Sequence, residues 1–483
     1  MNIHNDSQQR NDIGHDCSHS HDHTHSHNIS QIINAQHSFF QYQPTKDIAF
    51  RLKALKKFKR LIINHQQDII HALKQDLNKS ELDTYTTEIG FLIQEINHIV
   101  KNLKNWAAPK KLRTAITHLG SKSYVYSEPY GVVLIIAPWN YPFQLAIAPL
   151  LGAIAAGNCA IIKPSELTPN TSKLLARIIN DNFPIEYLYV AEGGVEVSTA
   201  LLQEKFDYIF FTGSKHVGKI VMEAAAKELT PVTLELGGKS PCIVHHDADI
   251  ELAAKRIVWG KFLNAGQTCI APDYLLVHTG IKEKLLPRLC YYIKQFYGEA
   301  PLNNENFTKI VTEKHFNRLT NFIEQRNCLI GGNSDRKLLR IEPTILTDIK
   351  WEDKVMEDEI FGPILPVLTY EDISEDAIKL INNRPKPLAL YLFSESDKIH
   401  NEILKCVSFG GGCINDTVYH VASPYLPFGG IGASGIGAYH GVHSFETFSH
   451  KKSILKQTTT FDLPLRYPNY KGALKKLKLF LRI

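Results

Sequence analysis

Between Pro109 and about Gly237 the chain alternates short apolar, β-rich runs with helix-length segments, and this rhythm constrains the fold most. Residues 132–136, 159–162, 187–190, 208–211 and 232–234 read as strands; stretches near 144–156, 168–180, 194–202 and 215–228 read as helices between them. Strands joined by helix-length crossovers pair in parallel, and a parallel sheet must be covered on both faces. The segment therefore predicts a βαβ domain of the kind that binds a dinucleotide. Just before it, Ser123-Tyr124-Val125-Tyr126-Ser127 alternates like an exposed antiparallel strand.

On either side the texture changes. From Ser30 to about Trp106 the pattern is helical. Leu52, Leu55, Phe58, Ile62 and Ile63 recur at three- and four-residue spacing, Ile69, Ile70, Leu73 and Leu77 continue it, and a third helix is expected from Tyr85 to Leu103. A second α/β region follows from about Gly237 to Gly412, with strands near 241–244, 273–278 and 388–393. The first 28 residues carry almost nothing to bury, so disorder is expected there. Their alternating His15, His19, His21, His23, His25 and His27 offer a weak metal site; a plain solvated tail fits the same composition.

These shifts divide the chain as follows: a His-rich tail over 1–28; a cofactor-binding domain from 29–119 and 131–236; a catalytic domain over 237–412; bridging or oligomerisation elements at 120–130 and 413–455; and a basic C-terminal tail over 456–483. A net charge of +5 without a dense basic block argues against nucleic acid as a partner. The longest apolar run, 145–156, is shorter than the roughly 20 residues a spanning helix needs. Eight scattered cysteines without a CxxC pair, behind a polar N-terminus, read as reduced thiols of a cytoplasmic protein.

Three segments carry chemistry. Cys269 closes Asn264-Ala265-Gly266-Gln267-Thr268-Cys269, a Gly-containing stretch where a thiol can serve as nucleophile if its surroundings favour the thiolate. Glu235, in Leu234-Glu235-Leu236-Gly237-Gly238-Lys239, offers a base, and Asn140, in Pro138-Trp139-Asn140-Tyr141-Pro142, an amide donor for an oxyanion. The GxGxxG signature is missing from the first strand-to-helix turn, which disfavours an orthodox Rossmann site. Instead Gly213-Ser214 and Gly218 open a helix whose N-terminus suits phosphate, and Lys163 with Glu166 follows the second strand, where a carboxylate can take ribose hydroxyls. A tight turn and a helix cap explain those two segments about as well when each is taken alone.

Together these motifs resemble the aldehyde dehydrogenase family over roughly residues 45–455. The likeness rests on PWNYP (138–142), KPSE (163–166), FTGS…VGK (211–219), LELGGKSP (234–241), NAGQTC (264–269), EIFGP (359–363) and PFGGIGASGIGAYHG (427–441). QTCIAPDY (267–274) and SFETFSH (444–450) are similar to the class 3, fatty and aromatic aldehyde, branch.

The resemblance implies an α/β fold of two parallel-sheet domains with a small antiparallel oligomerisation extension. It implies a homodimer that oxidises a broad range of medium- or long-chain or aromatic aldehydes to acids with NAD or NADP through a cysteine thiohemiacetal and thioester. It assigns Cys269, Glu235 and Asn140 to catalysis, with Lys163, Glu166, Gly213, Ser214, Gly218, Trp139, Glu359 and Phe361 on the cofactor. Glu359 is a second candidate for the deacylation base. Tyr141, Tyr85 and the segment 417–425 are candidates for an apolar substrate funnel. Two other readings remain open at this level: an acyl-thioester reductase on the same fold, and an inactive scaffold with a metal-binding tail.

Overall fold

The computed structural model describes residues 21–324, 326–468 and 470–481. The predicted rhythm is realised as a sheet ordered Gly435–Ile436, Val232–Glu235, Tyr208–Thr212, Val132–Ile136, Cys159–Lys163, Leu188–Val190. Its five longer strands are parallel, and Gly435–Ile436 returns antiparallel against Leu234 and Glu235. The chain steps outward in one direction from Val132–Ile136, then reverses to lay down Tyr208–Thr212 on the other side. Crevices at such a reversal, beyond the carboxyl ends of the strands, are where open α/β sheets hold ligands.

Every residue of Cys159–Lys163 and of Tyr208–Thr212 is buried, as expected for strands covered on both faces. The helix Gln144–Ala156 is buried along its whole length and stops at Gly157, whose φ of 98° is the left-handed conformation that closes a helix.

The helices Ile48–Asn64, Gln66–Leu77 and Gly90–Ala107 bury the predicted Leu55, Phe58, Ile62, Ile69 and Leu73 in the same core. The third differs from expectation at its start: Tyr85–Ile89 forms a wide π-helical turn before the α-helix begins at Gly90. Such turns mark a place where a side chain needs room or a particular aim, and here Glu88 is the buried acid. The first helix spans His21–Gln41, so it begins inside the stretch expected to be disordered. Ile29, Ile32 and Ile33 anchor it to the core, and extending an anchored helix is far easier than starting one. Residues 1–20, with His15 and His19, lie outside the described residues.

The second sheet is ordered Cys328–Ile330, Thr344–Leu346, Ile364–Tyr370, Tyr274–His278, Pro241–Val244, Ala389–Phe393, Gly411–Ile414. All but the first are parallel. Alternate residues face two cores: Cys242, Val244, Tyr391 and Phe393 turn to the core shared with the first sheet, whereas Ile243, Leu390 and Leu392 turn to a separate one. Leu236 to Ser240 carries the chain from the first sheet to the second. A three-stranded antiparallel sheet, Lys110–Leu112, Lys122–Pro129 and Ser449–Lys456, stands apart, largely exposed. Among the described residues no helix is long and apolar enough to cross a membrane.

Candidate active site

Cys269 is placed by a backbone that few residues adopt willingly. Asn264, Ala265 and Gly266 have φ of 54°, 52° and 71°, three left-handed residues in succession. A non-glycine residue held there costs of order 1–3 kcal/mol and persists only when its surroundings over-determine it. Two features do so. A Cβ on Gly266 would lie 2.2 Å from the carbonyl oxygen of Gly362, so the loop packs backbone to backbone against Glu359–Pro363. Gln267, fully buried, donates from Nε2 to the carbonyls of Asn264 (3.2 Å) and Lys309 (3.0 Å) and accepts from the Val311 N–H (3.1 Å).

Asn140 is clasped into the same loop. Its Nδ2 donates to the Gln267 carbonyl at 3.0 Å, and the Asn264 Nδ2 donates to the Asn140 carbonyl at 2.9 Å. One Asn140 N–H is thus used for orientation, and an amide nitrogen carries a second. The neighbouring Tyr141 shares a hydrogen bond with Thr268 Oγ1 at 2.7 Å, directly beside the thiol.

Behind Tyr141 lies a pair that nothing in the sequence signals. Lys79 and Glu88 are both fully buried; the ammonium meets Glu88 Oε1 at 2.6 Å and sits 4.0 Å from the Tyr141 ring centroid. The other oxygen of Glu88 accepts from the Phe143 and Gln144 N–H groups (2.9 and 3.1 Å), the open donors at the start of the helix Gln144–Ala156. Glu88→Ala would leave a buried ammonium and two amides without a partner. It is expected to destabilise the protein by about 3–5 kcal/mol, read as a lowered melting temperature, whereas truncating an exposed carboxylate such as Glu305 should leave melting nearly unchanged.

Cys269, Glu235, Thr212, Tyr141 and Tyr439 line one cavity of about 480 Å³. Its remaining wall is mainly apolar, including Leu82, Phe91, Leu145, Trp259, Val418 and Tyr419. Glu235 ends the strand Val232–Glu235, and both its oxygens are buried with no hydrogen-bond partner among the described residues. Burial therefore holds its carboxyl well above the usual carboxylate range. Burial, then the nearby Glu359 and Glu235, also push the Cys269 thiol up. The condition set by the sequence, surroundings that favour the thiolate, is not met by the loop alone: the apolar cavity outweighs the backbone N–H groups that favour the anion.

A second cavity of about 410 Å³ is lined by Ser214, Lys215, His216, Gly237, Gly238, Lys239 and Glu359 among others. The two adjoin, because Leu236 and Leu388 line the first and their chain neighbours Gly237 and Pro387 the second. Ser214 caps the helix Lys215–Lys227 by accepting from the Val217 N–H. Gly213 and Gly218 sit where a Cβ would meet Phe211 and Leu236. Glu359 packs against Gly237, and its pKa is raised to about 8, by burial first and then by Asp273. Lys239 binds Asp273 Oδ2 (2.7 Å) and the carbonyls of Val355 and Asp358 (both 2.9 Å), tying three segments together beside that carboxyl.

Not every expected residue reaches a cavity. Trp139 packs edge-on against Phe361, with His315 against it as well, each ring centroid 5.3 Å from that of Trp139. Lys163, buried at the end of its strand, donates to the Pro164 carbonyl (2.7 Å) and to Glu166 (3.4 Å). Tyr85 is absent from the walls of both cavities; it lies 44% exposed on the π-helical turn, which aims Glu88 inward instead. Of the segment 417–425, Val418, Tyr419, Val421 and Ala422 do line the larger cavity.

Comparison with known proteins accords with this geometry. The family model described as the aldehyde dehydrogenase family matches residues 8–454. The chain belongs to the aldehyde dehydrogenase family. It is similar to the 4,4'-diaponeurosporen-aldehyde dehydrogenase of Staphylococcus aureus (strain NCTC 8325 / PS 47), with 49% identity over 456 residues, 94% of this chain and 99% of the relative. It is 43% identical to the dimeric NADP-preferring aldehyde dehydrogenase of Canis lupus familiaris over 442 residues, 91% of this chain and 97% of the relative. Among solved structures, the substrate-bound state of Staphylococcus aureus AldH superposes with a TM-score of 0.92 at 49% identity, covering 94% of this chain and 99% of that one. The protein is an NAD(P)+-dependent aldehyde dehydrogenase with the fold of that family.

Proposed function

We propose that this dehydrogenase oxidises large apolar aldehydes, long-chain or aromatic, to their acids. The observation that carries this reading is the apolar wall of the 480 Å³ cavity, which ends on Cys269 and Glu235. A cavity of that size and mainly apolar lining takes an extended hydrocarbon beside the reacting carbonyl. The 49% identity to an enzyme named for 4,4'-diaponeurosporen-aldehyde supports the same class.

In this reading Cys269 attacks the aldehyde carbon. The thiol gives its proton to a base before or during attack, since its own pKa is raised. The second N–H of Asn140 and the Cys269 backbone N–H hold the oxygen of the thiohemiacetal, a contribution of about 3–4 kcal/mol for one such donor. NAD(P)+, when bound, supplies the hydride acceptor. The residues present suit such a group: Ser214 and Lys215, at the start of the helix Lys215–Lys227, line the 410 Å³ cavity, where the positive end of the helix dipole suits a diphosphate, and Gly237, Gly238 and Glu359 line the same cavity. Following the family pattern, Lys163 and Glu166 would take the adenosine ribose, Gly213 and Ser214 the diphosphate, and Glu359 with Phe361 the nicotinamide ribose, with Gly218 and Trp139 as further cofactor-side residues. Glu235 then draws a proton from water attacking the thioester, and the acid leaves.

Residues 29–119 and 131–236 serve as the cofactor-binding domain and 237–412 as the catalytic domain. The exposed three-stranded sheet, whose outer strand Ser449–Lys456 has a free edge among the described residues, serves a homodimer.

The test of the substrate class is a panel of straight-chain and aromatic aldehydes assayed by cofactor reduction with NAD+ and NADP+. Each methylene buried in the cavity is worth about 0.8 kcal/mol. The value of kcat/KM should therefore rise about fourfold per added carbon until the cavity is full. A flat profile, or preference for the shortest aldehydes, would remove the apolar-substrate reading and leave the family activity untouched.

A further inference from the structure

Parallel strands gather ligand-binding residues at their carboxyl ends, and the second sheet has two chemically different ends. Cys269, Glu359 and Leu388 precede the strands Tyr274–His278, Ile364–Tyr370 and Ala389–Phe393, so the reacting centre lies at the amino end of that sheet. At the opposite edge, four adjacent strands finish on Tyr370, His278, Val244 and Phe393. There the chain reads His245-His246-Asp247.

In an extended strand three consecutive side chains would point to alternate faces. Here a turn follows, closed by the Ala248 N–H on the His245 carbonyl (3.1 Å). It brings one ligand atom from each of the three residues to within 4.8 Å of the others. His245 is buried and its Nδ1 is joined to the Tyr370 hydroxyl at 2.9 Å, the kind of outer partner that fixes the ring of a metal-ligating histidine. Asp247 Oδ2 accepts from Ser394 Oγ (3.1 Å) and the Glu395 N–H (3.2 Å), so the carboxylate is also held from outside. Its Oδ1 is buried with no hydrogen-bond partner among the described residues. The two imidazoles lie 4.2 Å apart, too close for both to carry charge comfortably. Two imidazoles and a carboxylate with an unpaired oxygen make a donor set for a cation of imidazole preference. His246 is exposed and gives an ion its entry path.

We propose that His245, His246 and Asp247 bind one divalent first-row metal ion, with Zn2+ as the probe, at the edge of the second sheet opposite the nucleophile. Water completes the coordination, and Tyr370 and Ser394 position the ligands. The ion sits within the loop after Pro241–Val244, which Asp247 already joins to Ser394 and Glu395 beyond Ala389–Phe393, and it takes no part in aldehyde oxidation.

The histidine-rich N-terminus must be silenced for a clean test. The full-length chain with His15, His19, His21, His23, His25 and His27 replaced by Ser is titrated with Zn2+ by calorimetry and with Co2+ by visible absorption. One equivalent is expected to bind, with a rise in melting temperature. Both effects should vanish in His246→Gln, and in Asp247→Asn, which keeps an oxygen for Ser394 and Glu395. Aldehyde oxidation and metal-free melting should be unchanged in both. If Asp247→Asn melts early without metal, His246→Gln alone decides. No bound equivalent in the tail-substituted chain, or undiminished binding in His246→Gln, would overturn the proposal.

Discussion

Cys269→Ala is expected to lower aldehyde-dependent reduction of NAD(P)+ by about 10⁴-fold or more, the order seen when a covalent nucleophile is removed from an otherwise intact site. The size of the effect follows from what is left behind. Asn140 is oriented by the Gln267 carbonyl and the loop is held by Gly266 and Gln267, none of which depends on the thiol. Cofactor binding, followed by quenching of protein fluorescence, should therefore survive, as should the melting temperature. Turnover near that of the parent would remove Cys269 from the mechanism. Loss of cofactor binding together with activity would show a collapsed site instead of a missing nucleophile.

Glu235→Gln is expected to separate the two halves of the reaction. The amide keeps the shape of the carboxyl but cannot take a proton, so a first turnover of reduced cofactor should appear as a burst while the thioester accumulates. The steady-state rate should fall by about 10²–10⁴-fold. The pH profile gives an independent reading. Burial raises the Glu235 pKa, so the fraction present as base grows as pH rises through that raised value. The parent's deacylation rate should climb with pH, and the variant's should lose that limb. If the limb survives in Glu235→Gln and disappears in Glu359→Gln, the base is Glu359, whose carboxyl titrates near 8. An unchanged steady state in both variants would leave water activation to solvent.

The sequence showed the parallel strands of the first sheet and three of the seven strands of the second. Residues 132–136 and 241–244 match the observed strands, and the helix expected near 144–156 is Gln144–Ala156. It missed Cys328–Ile330 and Thr344–Leu346, where three residues carry no period and the pair holds a register shift, and also Gly411–Ile414, which opens on two glycines, and Ile364–Tyr370, whose apolar run is interrupted by Pro366. The motif set also pointed to the residues that meet: Cys269, Glu235 and Tyr141, far apart in the chain, line one cavity.

What stayed hidden is tertiary in origin. Lys79 and Glu88 lie nine residues apart, a spacing that belongs to no helix face, and their meaning appears only once Tyr141 meets the ammonium and the start of Gln144–Ala156 meets the carboxylate. Gly266 announced a special backbone, but the left-handed Asn264 and Ala265 are imposed by packing against Gly362 and by the Gln267 hydrogen bonds. The raised thiol of Cys269 is likewise a property of the cavity, which no stretch of residues encodes by itself.

The wall of the larger cavity and its floor come from different parts of the chain. Leu82, Thr86 and Phe91 arrive from the helical N-terminal region, and Val418, Tyr419, Val421 and Ala422 from a loop beyond the second sheet. The thiol is fixed by Gly266 against Gly362 and by Gln267, none of which the wall touches through a hydrogen bond. Such a division makes the enzyme evolvable: mutations at positions 82, 91, 419 or 422 can explore new aldehydes while the reacting groups inherit their geometry unaltered.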